Sequence, residues 1–301
     1  MPSLWKFGGL TPLKLTRLAI KKIGMDELST RSAALSYYFL LALFPMFLFL
    51  ISLVGVFAGP ELRGSIISAF GRLAPGSSSQ LVNSVINQTF RSSTGIKLAA
   101  GILGALWAAS GGMSAVVTSL NVIYRTPETR PWWKQKLTIL GLTIALALLI
   151  IVALVLVLYG GRIGQLIAEH VGLGSVFKAL WQVLHWAVSF AAMFLSYALI
   201  YYFAPNLEER HWHWVSPGAA AGVGLWLLAS VGFRIYLHFF NSYSATYGSL
   251  GAVIILMLWL YITGLAILVG GEINWVIENE DKNRAVFETK LHQIEAQMKA
   301  A

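Results

Sequence analysis

Long apolar stretches joined by short polar connections form the dominant pattern of this chain. Each stretch holds at least the ~20 residues that an α-helix needs to cross ~30 Å of hydrocarbon. Backbone polar groups find no partner in lipid, so only helices or a closed barrel span it, and barrels use alternating segments of about ten residues. The pattern predicts an all-α, polytopic membrane bundle of six transmembrane helices, near Ala33–Ala58, Leu98–Thr118, Leu137–Leu158, Phe177–Phe203, Val215–Phe240 and Ala252–Ile277.

Polar segments flank this membrane domain, which we predict to cover residues 33–277. In the N-terminal arm, residues 1–32, Thr11-Pro12 is typical of a helix start. Lys14, Arg17 and Lys21 follow at helical spacing, which fits either an amphipathic helix on an anionic membrane surface or the ordinary positive flank of a span. Residues 278–301 form a tail, and residues 59–95 predict an external amphipathic helical hairpin, either a lid over a cavity or a packing element.

The distribution of charge predicts the orientation. Most of the 22 Lys and Arg residues fall in the arm, the tail and the second and fourth connections, which lie on one side of the predicted membrane. The positive-inside rule then places both termini in the cytoplasm, in a bacterial inner membrane. The net charge of +9 is therefore a topology signal, and no basic surface with stacking aromatics indicates nucleic-acid binding.

Composition narrows the functional classes further. The chain has no cysteine, which excludes disulfides and thiolate metal sites, and no polar segment is long enough for a separate catalytic domain. We find no ATP-binding motif and predict no cofactor. His211 and His213 lie two positions apart, but no third ligand has suitable spacing, so no metal site is predicted.

Small residues at four-residue spacing predict close helix packing. They are Gly104, Ala108 and Gly112 in the second span and Gly218 and Gly222 in the fifth. Pro45, inside the first span, removes a backbone hydrogen bond and predicts a kink.

Ionisable residues within spans are the best candidates for a functional site, because they are costly in lipid. Arg234 and His238 share a face near the outer end of the fifth span, and His185 with Gln182 lies near the same end of the fourth. Together they suggest a cationic pocket for a phosphate or carboxylate headgroup. The alternative is that Arg234 reaches the interface and the histidines bond to nearby carbonyls.

Glu272 is an acidic residue well inside the sixth span. A carboxylate there needs a partner or a proton. We predict an ion pair with Arg31, or alternatively with Arg125, which serves either structure or proton coupling.

Nine segments follow one another along the chain: Ala33–Phe39, Leu43–Pro45, Trp107–Ser110, Leu120–Tyr124, Tyr202–Asn206, Pro217–Ala219, Tyr236–Leu250, Leu258–Tyr261 and Gly270–Ile273. In this order they resemble the YihY/BrkB family of bacterial inner-membrane proteins over roughly residues 33–277. Ala42 departs from the serine that the family often has. The resemblance implies six spans with cytoplasmic termini. The family carries a virulence-factor name and an old ribonuclease label. Lipid export is suspected for some of its members.

Three functions remain open from the sequence. The leading one is transport or flipping of an anionic lipid or other amphiphile in the cell envelope, with membrane lipids as partners. The second is a non-enzymatic scaffold or assembly factor, whose small-residue helices dock on envelope proteins or on a second copy of the chain. A ribonuclease would need a metal cluster or an acid–base pair beside an RNA-binding surface, and the sequence supplies neither.

Overall fold

The computed structural model describes residues 4–57, 95–171, 175–209, 211–239 and 249–300. Within these ranges every regular element is helical. A short 3₁₀ helix, Leu4–Gly9, precedes seven α-helices: α1 (Pro12–Met25), α2 (Leu28–Phe57), α3 (Gly95–Ile123), α4 (Trp132–Val171), α5 (Ser175–Phe203), α6 (Pro217–Phe239) and α7 (Ser249–Ala300).

The predicted helical membrane bundle is confirmed. Five described helices are long and apolar enough to cross a membrane, through Leu103–Ile123, Trp132–Val157, Leu180–Phe203, Pro217–Tyr236 and Val253–Glu280. They match the second to sixth predicted spans. Most of the first predicted span lies in α2, a continuous helix of 30 residues that runs through Pro45. The kink at Pro45 stays a prediction, and the predicted hairpin at 59–95 lies outside the described residues.

The helices pack around α7. Helix α7 contacts α2 and α6 extensively, α2 packs along α3, and α4 packs chiefly against α5. Helix α1 lies across α7, where Leu15 belongs to one buried cluster with Val276 and Ile277. The buried face of α1 packs against α7, and the opposite face of α1 is exposed.

Helix α1 begins as its sequence predicts. The Thr11 hydroxyl accepts a hydrogen bond from the Lys14 backbone N–H at 3.4 Å, and Pro12 occupies the first turn. The helix ends at Met25, and Glu27, with a φ of 51°, turns the chain into α2. At the other end of the chain, the predicted tail continues α7 without a break to Ala300.

The largest core cluster lies toward one end of the bundle, which we call the loop end. This end is formed by α1, the α3–α4 connection (residues 124–131) and the α5–α6 connection (residues 204–216). Buried residues such as Leu120, Tyr201 and Leu268 belong to this cluster. Farther along the helices, large apolar side chains are exposed, including Leu154, Val183 and Leu228. Such a surface is expected to face lipid in a membrane-spanning bundle.

Candidate functional site

Asp26, at the end of α1, collects positive charges from two other segments. Its side chain is buried. Oδ2 accepts a hydrogen bond from Lys22 Nζ at 2.9 Å, and Oδ1 accepts one from Arg125 Nη2 at 2.7 Å. The Asp26 backbone carbonyl accepts a further bond from Arg31 Nε at 2.9 Å. Because hydrogen bonds between ionised groups are stronger than neutral ones, Asp26 ties α1, α2 and the α3–α4 connection together.

Glu272 lies behind Lys22 on α7 and is fully buried, with an exposure of 0%. Lys22 Nζ is 3.8 Å from Glu272 Oε1 and 4.1 Å from the centroid of the Trp275 ring. Among the residues that the structure describes, none donates a hydrogen bond to either oxygen of Glu272. We call Lys22, Asp26, Arg125 and Glu272 the charge cluster. It joins α1, the α3–α4 connection and α7.

The structure corrects the partner predicted for Glu272. The ion pair is made by Lys22, whereas Arg31 turns to the Asp26 carbonyl and Arg125 to the Asp26 carboxylate. The physical reason is the reversal of the chain at Glu27, which lays α1 against α7. The prediction of Arg31 rested on its depth in the first span, and depth alone does not show how the turn at Glu27 orients α1.

Two glycines of α7, directly before Glu272 in the chain, allow neighbouring helices to approach closely. A Cβ atom on Gly271 would lie 2.7 Å from Leu120 Cδ2 of α3. A Cβ atom on Gly270 would collide with the Gly218 carbonyl oxygen and the Tyr201 hydroxyl. Real Cβ atoms do not tolerate such contacts in a close-packed interior. The glycine pair therefore lets α3 and α6 pack closely against α7 in the turn that precedes Glu272.

A buried amide stabilises the start of α6 beside this packing. Asn274 Oδ1 accepts a hydrogen bond from the Gly218 N–H at 2.9 Å, and Asn274 Nδ2 donates to Ser216 Oγ at 2.9 Å. Ser216 Oγ also accepts from the Ala219 N–H at 3.0 Å, as an N-cap does. The first turn of α6 is thus fixed to α7 one turn or less from Glu272.

Two asparagines fasten the connections at the loop end. Asn121 Oδ1 accepts a hydrogen bond from the Asn206 N–H at 2.8 Å, and Asn121 Nδ2 donates to Glu128 at 2.9 Å. Arg130 pairs with Glu128 at 2.7 Å and donates to the Ala204 carbonyl at 3.0 Å. The hydrogen bond from Arg130 lowers the pKa of Glu128 from its ordinary value, against a smaller opposing effect of burial.

A cavity of about 580 Å³ opens between these connections and α7. Its volume is within the usual range of small-molecule sites, roughly 300–1,000 Å³. Arg125 of the charge cluster lines it, together with Tyr124, Thr126, Pro127, Thr129, Asn206, Leu207, Glu208, Glu209, Trp275, Glu278 and Asn279.

The four residues of the predicted headgroup pocket occupy different environments. Arg234 is exposed on α6, between the exposed side chains of Val231 and Ile235. Gln182 is exposed on α5, whereas His185 is buried. The side chain of His238 is outside the described residues. In the described part of the chain, no hydrogen bond or ion pair connects Arg234, His185 and Gln182, and the headgroup pocket stays a prediction.

His185 packs between α4 and α5. Its Nδ1 lies 3.0 Å from the Trp181 carbonyl oxygen. This contact agrees with the alternative prediction, in which the histidines bond to nearby carbonyls. A Cβ atom on Gly160 would lie 2.7 Å from the His185 ring. The adjacent Trp181 donates its indole N–H to the Gly160 carbonyl at 2.6 Å. These contacts describe an interface between two helices rather than an open pocket.

The small residues predicted to pack helices divide into two groups. Gly112 lies against Phe39 and Ala42 of α2, while a Cβ atom on Gly222 would lie 2.7 Å from the Tyr197 ring of α5. A Cβ atom on Gly218 would collide with the Gly270 carbonyl oxygen of α7. Gly104 has open space around it, and Ala108 is exposed. Among the three α3 positions, Gly112 is therefore the one for which the described structure shows a close approach to a neighbouring helix.

His211 and His213 lie at the loop end, beside Glu209 in the lining of a small cavity of about 40 Å³. Burial lowers the pKa of His213, and the nearby charge on His211 lowers it further. Over the described residues, no group of three or more His, Asp or Glu side chains has the geometry to hold a metal ion.

Sequence reasoning missed Asp26, Lys22 and the two asparagines. For Asp26, a signal was available: it is an acidic residue that closely follows the basic residues of the N-terminal arm and stands five positions before Arg31. In the sequence, nothing distinguishes Lys22 from the other basic residues of the N-terminal arm. The contact between Asn121 and Asn206 joins residues far apart in the chain, and no local pattern indicates it.

The helices and their apolar surfaces define the class of this molecule: it is a multi-pass, all-helical membrane protein. A family model described as virulence factor BrkB matches residues 19–293. Since this match covers most of the chain, the protein belongs to the BrkB family.

Individual relatives agree with this membership. The chain is 38% identical to the ribonuclease-like protein YfkH of Bacillus subtilis over 258 residues, which cover 86% of this chain and 93% of the relative. It is 30% identical to a UPF0761 membrane protein of Aliivibrio salmonicida over 269 residues, or 87% and 82% of the two chains. A UPF0761 membrane protein of Pseudoalteromonas atlantica is 28% identical, with 87% and 85% covered. No solved structure gives a significant match.

Proposed function

We propose that this protein transports or flips an anionic lipid, or a similar anionic amphiphile, in the bacterial inner membrane. In this proposal the loop end faces the cytoplasm, as the charge distribution predicts. Helices α4 to α6 then present their exposed apolar surfaces to lipid. The headgroup of the transported molecule meets Arg234 near the outer end of α6.

The observation that carries the proposal is the exposed position of Arg234 within a candidate span. Its neighbours Val231 and Ile235 are 59% and 53% exposed, so the arginine lies on a surface that faces lipid. An arginine is costly in hydrocarbon unless it finds an anionic or polar partner. Its planar guanidinium binds phosphate and carboxylate groups through two parallel hydrogen bonds. A lipid headgroup is the partner that such a surface offers.

A scaffold is the second candidate function. It is favoured by the open face of α3, where a Cβ atom on Gly104 would meet no described atom within 4 Å and Ala108 is exposed. Small residues let a partner helix approach closely in a membrane. A partner protein or second copy of the chain that crosslinks through Gly104 at a fixed stoichiometry would favour this candidate.

We assign no catalytic step to this chain. The name of the Bacillus subtilis relative suggests an RNA-cleaving activity, and the matching test is simple. Cleavage of RNA by rigorously purified protein, lost when His211 and His213 are both replaced by alanine, would support a nuclease instead.

The transport proposal is tested by reconstituting the protein into vesicles and following the movement of fluorescent lipids between leaflets. We expect faster movement of an anionic lipid than of a zwitterionic one. Arg234→Ala should slow it at least about tenfold, because a hydrogen bond to a charged group contributes roughly 1.5–3 kcal/mol. Arg234→Lys should retain part of the rate.

The matched control is Arg162→Ala, which removes an exposed arginine of α4 beyond its apolar window. This variant should move lipid at the wild-type rate. Equal rates for Arg234→Ala and wild type, or a wild-type rate no higher than that of protein-free vesicles, would contradict the proposal.

A further inference from the structure

We propose that Glu272 is a proton-binding site, whose carboxyl group takes up a proton from the aqueous loop end and releases it there. The proton adds to a carboxylate oxygen, so the charge cluster gains one positive charge on uptake and loses it on release. This inference does not rest on the proposed transport of lipid, because it concerns the protonation of one side chain.

The first support is the lack of compensation for a charge on Glu272. The side chain is fully buried, and no described residue donates a hydrogen bond to either oxygen. An ionised carboxylate in such a place loses its hydration without gaining donors, which costs several kcal/mol. Burial of the neutral acid costs much less free energy, so this environment favours the protonated form of Glu272.

The second support is the way in which Lys22 is shared. Its Nζ lies 2.9 Å from Asp26 Oδ2 but 3.8 Å from Glu272 Oε1. The shorter contact is a charge-assisted hydrogen bond, and the longer one is beyond hydrogen-bonding distance. Asp26 also receives Arg125 at 2.7 Å. Both cations therefore donate their hydrogen bonds to Asp26, and the negative charge of Asp26 opposes the attraction that Lys22 and Arg125 exert on a charge at Glu272.

The groups around Glu272 include both signs of charge. Helix α1 and its end supply Lys22 and Asp26, and the α3–α4 connection supplies Arg125 and the Tyr124 hydroxyl. From α2, Arg31 faces the Asp26 carbonyl, and from α5 the Tyr201 hydroxyl donates to the Ile267 carbonyl at 2.8 Å. Glu278 lies farther along α7. With Glu272 ionised, the four members of the charge cluster sum to zero.

A route to water exists through the same residues. The Arg125 side chain is 53% exposed and lines the cavity of about 580 Å³. Its Nη2 atom contacts Asp26. Lys22 is 13% exposed and lies between Asp26 and Glu272. Polar atoms thus lead from the aqueous cavity to the buried carboxyl group. Uptake of a proton removes the attraction between Lys22 and Glu272, which is a direct electrostatic contact between α1 and α7.

The test is infrared difference spectroscopy of the full-length protein in lipid nanodiscs, titrated between about pH 5 and about pH 9, where ordinary carboxyl groups are ionised. We expect a protonated-carboxyl band in the wild type that disappears as the pH rises. The band should be absent in Glu272→Gln and retained in Glu128→Gln, a control that removes a solvent-accessible carboxylate already paired with Arg130.

Lys22→Met keeps the test decisive if Glu272→Gln does not fold. Removal of the nearby cation should make the band persist to higher pH, by about one pH unit or more. A wild-type spectrum without a protonated-carboxyl band over this range would overturn the proposal. A band that Glu272→Gln leaves in place, or that Lys22→Met does not shift, would overturn it as well. Lipid transport is measured separately, so either proposal can fail alone.

Discussion

Arg125 Nη2 lies 2.7 Å from Asp26 Oδ1, although the two residues are 99 positions apart in the chain. This bond fixes the end of α1 to the α3–α4 connection. Asp26 is buried, so the carboxylate has little access to water that would replace a lost partner. Removal of one partner should therefore destabilise the loop end more than the loss of an exposed ion pair would.

We predict that Asp26→Ala lowers the free energy of unfolding by about 1.5–3 kcal/mol, because charge-assisted hydrogen bonds from two cations are lost. Thermal unfolding of the detergent-solubilised protein measures the effect. Glu27→Gln is the matched control, since it removes an exposed acidic side chain at the next position. A loss of stability as large in Glu27→Gln would mean that net charge, and not the Asp26 contacts, is responsible.

Close contact between α6 and α7 makes Gly218 intolerant of a larger residue. A Cβ atom there would collide with the Gly270 carbonyl and lie 2.5 Å from Asn274 Oδ1. We expect Gly218→Ala to cost about 1–3 kcal/mol or more, through displaced backbone and a weakened Asn274 bond. Gly224→Ala, in open space on the same helix, should be neutral or slightly stabilising. Chemical unfolding of both variants checks this, and equal stabilities would refute the close approach.

The pH dependence of stability should report the Glu128–Arg130 pair. Its hydrogen bonds hold the pKa of Glu128 below the ordinary value of 4.5. A carboxyl group whose pKa is lower in the folded state stabilises the fold above its unfolded pKa, and this contribution disappears as the pH falls through the folded pKa. The advantage of the wild type over Glu128→Gln should therefore be full at neutral pH and shrink below pH 4.5. An advantage that grows on acidification would reverse the sign and exclude this pair as its source.

The outward face of α1 combines apolar and cationic side chains. Leu13, Ile20 and Met25 are more than half exposed, and Arg17 and Lys21 lie on the same side. We predict that this face lies on an anionic membrane surface, since apolar burial and attraction to acidic lipids then act together.

The absence of cysteine from the sequence allows single labels to test this prediction. A spin label at Ile20→Cys should be reached more by oxygen than by a water-soluble nickel complex in vesicles with anionic lipid. A label at Glu208→Cys, in the exposed α5–α6 connection, should show the opposite preference. Identical accessibility of the two labels would place the α1 face in water.

Local features of this protein were predictable from the sequence because they depend on neighbours in the chain. The helical spans follow from the length of the apolar blocks, and the start of α1 follows from Thr11-Pro12. The family resemblance was also correct, as the match over residues 19–293 shows. Contacts between Arg234 and His185 could not be derived in this way, because depth in the membrane does not say which face of a helix meets which neighbour.

The sequence by itself determined that the chain forms apolar helices and that Glu272 lies within one of them, since both depend on composition over a few turns. Only the tertiary structure decided which charge Glu272 meets. Lys22 and Arg31 are both basic residues near the start of the membrane domain, and the turn at Glu27 brings Lys22 to α7 while Arg31 faces the Asp26 carbonyl. Pairing of this kind depends on the angle between two helices, and that angle is set by packing across the whole bundle.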